Sequence, residues 1–364
     1  MICLDRPFFM SSKSMILGYG WHSVQRFLPY DLDTFAVDSG ALERRRGVKS
    51  GSRLVQTLCL CALPNMTFEV AAQIARDSRI ASLSGQALFK RMVGAEALLE
   101  GLFVHSLRYV SANTGKTWNG LRLVAVDATT LCGPGSKGTD QRLHVVYDLG
   151  KGVPASVDLT NMKGGETFKR HDSFGFGDLV MADACYGVGP GLMSALRSGS
   201  RILVRFNFES IRLLGEDGEK IWPEQAEGVL PDEGYVDFCG YLPDWPAPLR
   251  VIGGRNNEGK GVWLITDLSR DELPTDSARE LYSQRWQIEL YFKRLKSILD
   301  LDELPTRDGP STRPWIWAKL LLATLAVLLA DERFSPWEQS AEPLGEDLEG
   351  ACKTMEVDPI GVAA

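Results

Sequence analysis

The feature that most constrains this chain is a change of hydrophobic period near Trp118. Before it, apolar residues recur at three- and four-residue spacing, as in Leu54, Val55 and Leu58 and again from Ala97 to Leu107, which predicts amphipathic helices. After it come short β-like runs: residues 121–126 leading into Asp127, then 142–147 and 155–159, whose close spacing predicts an antiparallel meander. Residues 179–182 leading into Asp183, a helix over 191–197 and the run 201–206 read as a strand-helix-strand unit. Helical period returns near Ser277, where Ser277 and Glu280 have the capping-box spacing, and one long helix is predicted to about Leu299, ahead of Pro305. The expectation is an α/β protein with an all-α N-terminal domain.

At 364 residues the chain exceeds the roughly 250–300 at which single hydrophobic cores stop growing, so several units are expected. They are read at 1–115 (helical), 116–206 (first part of the α/β core), 207–268 (a β-rich insertion broken by Pro and Gly), 269–330 (second part of the core) and 331–364 (an acidic tail, expected to be flexible). Hydrophobic residues make up 44% and charged ones 24%, which excludes disordered and collagen-like classes. The longest apolar run, Leu320 to Ala330, is 11 residues, short of the roughly 20 that cross a bilayer, so a buried helix and no membrane are expected. Asp5 and Arg6 interrupt the apolar start, against a secretory leader. Seven scattered cysteines without a C-x-x-C pair suit a reducing cytoplasm, and four histidines make a histidine-based metal site an unfavoured reading.

A net charge of -7 argues on its face against a polyanionic partner, but residues 331–364 carry nine acidic and two basic side chains and so account for all of it. Clustering matters more than the sum. The sharpest basic cluster is Arg44, Arg45 and Arg46 with Lys49 and Arg53, which reads equally as a solvated face or as a phosphate contact. Residues 67–76 and 84–92, the second stretch carrying Lys90 and Arg91, are two short helices that could pair as a helix-turn-helix or merely pack.

Asp127 and Asp183 each follow an apolar strand-like run, where ligand chemistry collects in open α/β sheets; singly, each reads better as a turn former. The late helix alters that balance. Tyr282, Arg285, Glu289 and Lys296 stand at offsets 0, 3, 7 and 14, within a sector of about 60° at 100° per residue. Two cations, a carboxylate and an aromatic ring on one face suit a phosphodiester backbone. The bland alternative is a surface ion pair between Glu289 and Lys293 at i,i+4, worth about 0.3–0.5 kcal/mol.

The pattern Tyr282-x2-Arg285-x3-Glu289-x6-Lys296 resembles the Y-R-E-K signature of insertion-sequence-4-type transposases. The resemblance extends to Val126-Asp127-Ala128-Thr129-Thr130, to Arg142-Leu143-His144 with Tyr147-Asp148, to residues 179–183, and to Leu28-Pro29 with Arg44 to Gly47, and so covers most of 20–330. It implies an RNase H-like mixed sheet flanked by helices and carrying a β-rich insertion, with a catalytic, metal-binding triad of Asp127, Asp183 and Glu289. The 106-residue gap from Asp183 to Glu289, against 56 between the aspartates, agrees with that insertion. The family usually has Arg-Gly-Tyr after its second aspartate; here Ala184-Cys185-Tyr186 keeps only the Tyr.

By the same resemblance the protein is a transposase that cuts element ends and joins 3′-hydroxyls to target DNA through two Mg²⁺ ions, with Mn²⁺ as a substitute. Tyr282, Arg285, Lys293, Lys296 and Arg44 to Arg46 are the expected DNA-phosphate contacts. Partners are double-stranded DNA, at terminal inverted repeats and at the target, and a second copy in a synapse; the location is cytoplasmic and nucleoid-associated. Two alternatives stay open: an inactive or domesticated DNA-binding protein, and a stand-alone RNase H-like nuclease. Lys137 reads as a DNA contact in a flexible loop, Cys59 and Cys61 as core, and His144 and His171 as structural. Trp222, Trp245 and Trp263 read as buried more readily than as base-stacking platforms.

Overall fold

The structure is a computed structural model that describes residues 16–17, 19–111, 115–136, 138–302, 304 and 310–333. Lys137, Pro305 and the acidic tail from residue 334 onward lie outside the described residues. The N-terminal region is helical: α1 (Tyr19–Gln25), α2 (Leu32–Asp38), α3 (Gly51–Cys61), α4 (Phe68–Asp77), α5 (Gly85–Val93) and α6 (Glu96–Ser111). Side-chain oxygens of Asp31, Ser50, Thr67 and Ser84 accept from backbone amides in the first turns of α2 to α5, satisfying donors that a helix start leaves open. The helix-turn-helix reading fares less well. Residues 78–84 separate α4 from α5, against the 3–4 residues of that motif, and the guanidinium groups of Arg53 and Arg76 are spent on carbonyls in this connection.

Strands follow as β1 (Thr117–Trp118), β2 (Leu121–Leu131), β3 (Gln141–Asp148), β4 (Val153–Asn161) and β5 (Asp178–Ala182), then α7 (Gly189–Arg197) and β6 (Arg201–Phe206). The meander β2–β3–β4 is antiparallel, and β5–α7–β6 is a strand-helix-strand unit whose strands run parallel to each other and to β2. Beyond it lie α8 (Pro223–Gly228), β7 (Tyr235–Gly240), β8 (Leu249–Arg255) and β9 (Gly261–Thr266). These β-rich residues extend the main sheet, whose order is β4-β3-β2-β5-β6-β9-β8-β7 with β1 beside β2. The first five strands in that order make the mixed RNase H-like sheet, and helices cover both faces.

Alternation along the strands sorts side chains between two cores. In β2, Ala125 and Leu131 join the core shared with the N-terminal helices, while Val124 and Val126 join the other, with α7 and the β7–β9 segment. Trp263 is buried there, whereas Trp222 is 52% exposed with Lys220 over its ring at 3.9 Å, contrary to the buried role expected of it. Cys59 and Cys61 are core residues as read.

The late helical region is α9 (Thr275–Ser283), α10 (Trp286–Leu299) and α11 (Thr312–Arg333). The single long helix is therefore two. The amides of Gln284, Arg285, Gln287 and Ile288 bond to carbonyls three residues back, which tightens the turn and ends the i→i−4 ladder at Gln284–Arg285. Nor does the Ser277–Glu280 capping box form, because Pro274 occupies the N-cap and α9 starts ahead of Ser277. In α11, Thr312–Leu329 is long and apolar enough to cross a membrane by length and composition, a longer stretch than the run read from sequence, but 83% of it is buried in the protein. There Trp317 packs against Phe103 of α6 at 5.5 Å.

Candidate active site

The sheet register sets the two aspartates side by side. Parallel pairing of β2 with β5 ends at Val126 opposite Ala182, so Asp127 and Asp183 are the next residues on adjacent strands. By alternation both belong to the face of Ala125 and Met181, the face against which α10 packs. One expectation needs correcting: Asp127 is not at a strand tip. Strand β2 runs on to Leu131 because β3 continues to pair with it, Asp127 lying opposite Val145. Asp183 does leave its strand, accepting from the Ala184 amide at 2.6 Å as the cap of a 3₁₀ turn, Ala184–Tyr186. The turn-forming role is thus real for Asp183 and coexists with its place beside Asp127.

Helix α9 is pinned to the same point by Tyr282, whose Oη donates to the carbonyl oxygen of Ala182 at 3.2 Å. Arg285, in the break between α9 and α10, then joins two acids: Nη1 lies 3.3 Å from Asp127 Oδ2 and Nη2 lies 2.5 Å from Glu289 Oε1. Its guanidinium also sits 5.6 Å from the Tyr282 ring centroid, and its buried Nε has no hydrogen-bond partner among the described residues. Glu289 therefore pairs with Arg285 and not with Lys293, the i,i+4 partner considered from sequence. Arg285 stands one turn before Glu289, at the other i,i+4 spacing, and also reaches Asp127 on the sheet.

Asp127 titrates high. Burial pushes its carboxyl up to about 7, helped by the charges of Asp183 and Glu289 and opposed by Arg285 and the Ala128 amide. Exposure differs across the three acids: the side chains are 18% exposed for Asp127, 38% for Asp183 and 42% for Glu289. A groove of about 480 Å³ opens beside Asp127 and Glu289 and is lined by Phe292, Lys293, Lys296 and Asp302 as well. Tyr282, Arg285, Lys293 and Lys296 are thus gathered at one site with Asp127 and Glu289.

Arg44, Arg45 and Arg46 are not part of it. They are exposed in the loop between α2 and α3, where Arg45 pairs with Asp33 at 2.8 Å and the carbonyl of Arg44 accepts from Arg91. Arg205 of β6 was missed by sequence reasoning. Val204 pairs with Ala182, so Arg205 falls beside Asp183, with Nη1 3.8 Å from Asp183 Oδ1. The available signal was a cation inside the apolar run 202–206. His144, opposite Ala128 in the sheet, bonds to Thr160 at 2.9 Å, and His144 and His171 are each pushed down to about 4 chiefly by burial.

Oxygen-donor acids, two from the sheet and one from the helix packed on that face, are the donor chemistry of a hard divalent cation. As placed, no three His, Cys, Asp or Glu side chains among the described residues converge on one metal position, and Arg285 supplies the positive charge between Asp127 and Glu289. The donor set fits the ion; the spacing is that of a site occupied by a guanidinium.

Residues 118–325 match the family described as the transposase DDE domain. The chain is 29% identical over 333 residues to the putative transposase InsL for insertion sequence element IS186A of Escherichia coli (strain K12), covering 82% of this chain and 90% of that protein. It is 30% identical over 335 residues to the transposase for insertion sequence element IS421 of Escherichia coli, with the same coverage of each.

Proposed function

We propose, for a chain that belongs to the family of transposases with a DDE domain, that it is the transposase of an insertion sequence of the insertion-sequence-4 type, cutting element ends and joining 3′-hydroxyls to target DNA. Its relatives named for IS186A and IS421 support the mobile-element assignment. The single observation that carries the reading is that Asp127 and Asp183 lie side by side on adjacent strands while Arg285 ties Glu289 to Asp127.

Asp127, Asp183 and Glu289 would hold Mg²⁺ or Mn²⁺, which when bound would supply charge neutralisation and acidify an attacking water or 3′-hydroxyl for in-line displacement at phosphorus. Asp127 is the most buried of the three, beside Asp183 on the next strand and linked to Glu289 through Arg285. Lys293 and Lys296 line the groove beside Asp127 and Glu289, where they neutralise phosphates and hold the strand in line. Tyr282 orients Arg285 by its bond to Ala182 and its ring contact. Arg205 adds a cation on the Asp183 side. The exposed Arg44–Arg46 loop of the helical region grips DNA away from the reaction centre. Two copies pair the element ends on the nucleoid.

The test is to incubate purified protein, Mg²⁺ and duplexes bearing element ends. Joined products support transposition, and cleavage without joining indicates a nuclease. A shifted band without cleavage indicates a DNA-binding relic, the outcome that Ala184-Cys185 after Asp183 would explain. Asp127→Asn, Asp183→Asn and Glu289→Gln should each abolish cleavage and spare DNA binding; wild-type cleavage by any of them removes that residue from the triad.

A further inference from the structure

We propose that Arg285 is a resident counter-cation that occupies the carboxylate site in the absence of DNA, and that its transfer to phosphate couples metal binding to DNA binding. This rests on the reading of Asp127, Asp183 and Glu289 as metal ligands and adds how that site is regulated.

Three features carry it. The guanidinium spans the acids, 3.3 Å from Asp127 and 2.5 Å from Glu289, so it takes up carboxylate oxygens that a divalent ion needs. Its hold is incomplete: each acid receives one N–H, and the buried Nε has no partner among the described residues. A phosphate accepts two parallel N–H bonds from the same guanidinium fork and is the better-matched acceptor. Lastly, Arg285 stands in the break between α9 and α10, where the helical ladder is interrupted, and the groove with Lys293 and Lys296 opens directly beside its two acids. A DNA backbone drawn in by those lysines would offer phosphate where the arginine can exchange partners. Removing the guanidinium from buried Asp127 leaves like charges to repel one another until a divalent cation enters. By linkage, a metal that displaces Arg285 also frees it for phosphate, so each ligand strengthens the other by the same factor.

The experiment measures Mn²⁺ binding to the full chain by titration calorimetry and by electron paramagnetic resonance of free Mn²⁺, with and without duplex DNA, subtracting ions bound by the duplex alone. Wild type should bind Mn²⁺ weakly alone and about tenfold more tightly with DNA, within the usual range of coupling. Arg285→Gln should bind it about tenfold more tightly than wild type without DNA and gain little when DNA is added. Arg285→Lys, which keeps the charge but cannot span two acids in the same way, should fall between, and it carries the test if the glutamine variant does not fold. Lys293→Gln serves as the control for the general field. The proposal is overturned if Arg285→Gln binds Mn²⁺ no more tightly than wild type, if Lys293→Gln tightens binding equally, or if DNA leaves the wild-type affinity unchanged. Asp127→Asn and Glu289→Gln separate the two levels: should both bind Mn²⁺ like wild type, the metal-site reading itself fails, whatever Arg285 does.

Discussion

The sheet side and the helix side of the site are built by different physics. Asp127 and Asp183 are placed by backbone register, through a ladder of hydrogen bonds between β2 and β5 and apolar side chains that are fully buried on both faces. Glu289 is placed by side chains: Tyr282 on a carbonyl at the end of β5, and Arg285 on Asp127. The first half is stiff and insensitive to any one substitution outside its core. The second adds, to the packed apolar face of α10, two polar contacts at a helix break. Burial does not follow the same division: Asp127 is enclosed, but Asp183 on the sheet side, at 38% exposure, is nearly as open as Glu289 at 42%.

The comparison can be broken most severely at the acids. Asp127→Asn should lower strand cleavage by on the order of 10³-fold or more, measured under single turnover, because it removes the most buried of the three proposed metal ligands. Next in size is the packing that seats α10: Ile288→Ala, at a position with no exposure, should cost about 2–5 kcal/mol in urea unfolding. A substitution that costs this much while leaving cleavage by the folded fraction intact would show that Glu289 is positioned by its polar contacts alone.

Acid sensitivity is expected to come from the sheet. His144 and His171 titrate near 4 when folded against 6.5 in the free side chain, so the unfolded chain binds more protons between those values. Stability from this source is complete above about pH 6.5 and is lost as pH falls toward 4, by on the order of 3 kcal/mol for each at full extent. His144→Gln should flatten that part of the curve in chemical denaturation. Asp127 works in the opposite sense. Its folded value near 7 exceeds the ordinary 3.8, so its contribution is present at low pH and disappears as pH rises through 7. Asp127→Asn should therefore stabilise the metal-free protein at pH 8 by about 1–3 kcal/mol even as it ends catalysis, whereas Glu289→Gln, on the exposed side, should change stability by less than about 1 kcal/mol. The smallest expected effect sharpens the account of α9: Ser277→Ala should stay within about 0.5 kcal/mol of wild type, where a working cap would cost about 1.

Much of this arrangement was legible in residue order. The switch of period at Trp118 marks where the helical region gives way to the sheet, and the runs into Asp127 and Asp183 predict two strands, though not that they lie side by side. Glu289 could be matched to them because Tyr282-x2-Arg285-x3-Glu289-x6-Lys296 resembles the Y-R-E-K signature of insertion-sequence-4-type transposases. What could not be read were consequences of distant pairing. Strand β2 outlasts its apolar run because β3 supplies hydrogen-bond partners as far as Leu131, a fact about residues 141–148. The interruption at Gln284–Arg285 has no Pro or Gly to announce it, and lies where Arg285 turns to acids 4 and 158 positions away. Arg205 escaped notice because its meaning depends on which strand lies beside β5.

The continuity of the sheet through β6 and β9 has a practical corollary for anyone wishing to trim the molecule. Excising residues 207–268 would strip β6 of the strand that covers its outer side, exposing a row of idle amides and carbonyls next to the turn that bears Asp183. Such an edge recruits further strands. A shortened version should therefore clump at concentrations where the intact chain remains dispersed, unless the cut is sealed with a charged or proline-bearing edge.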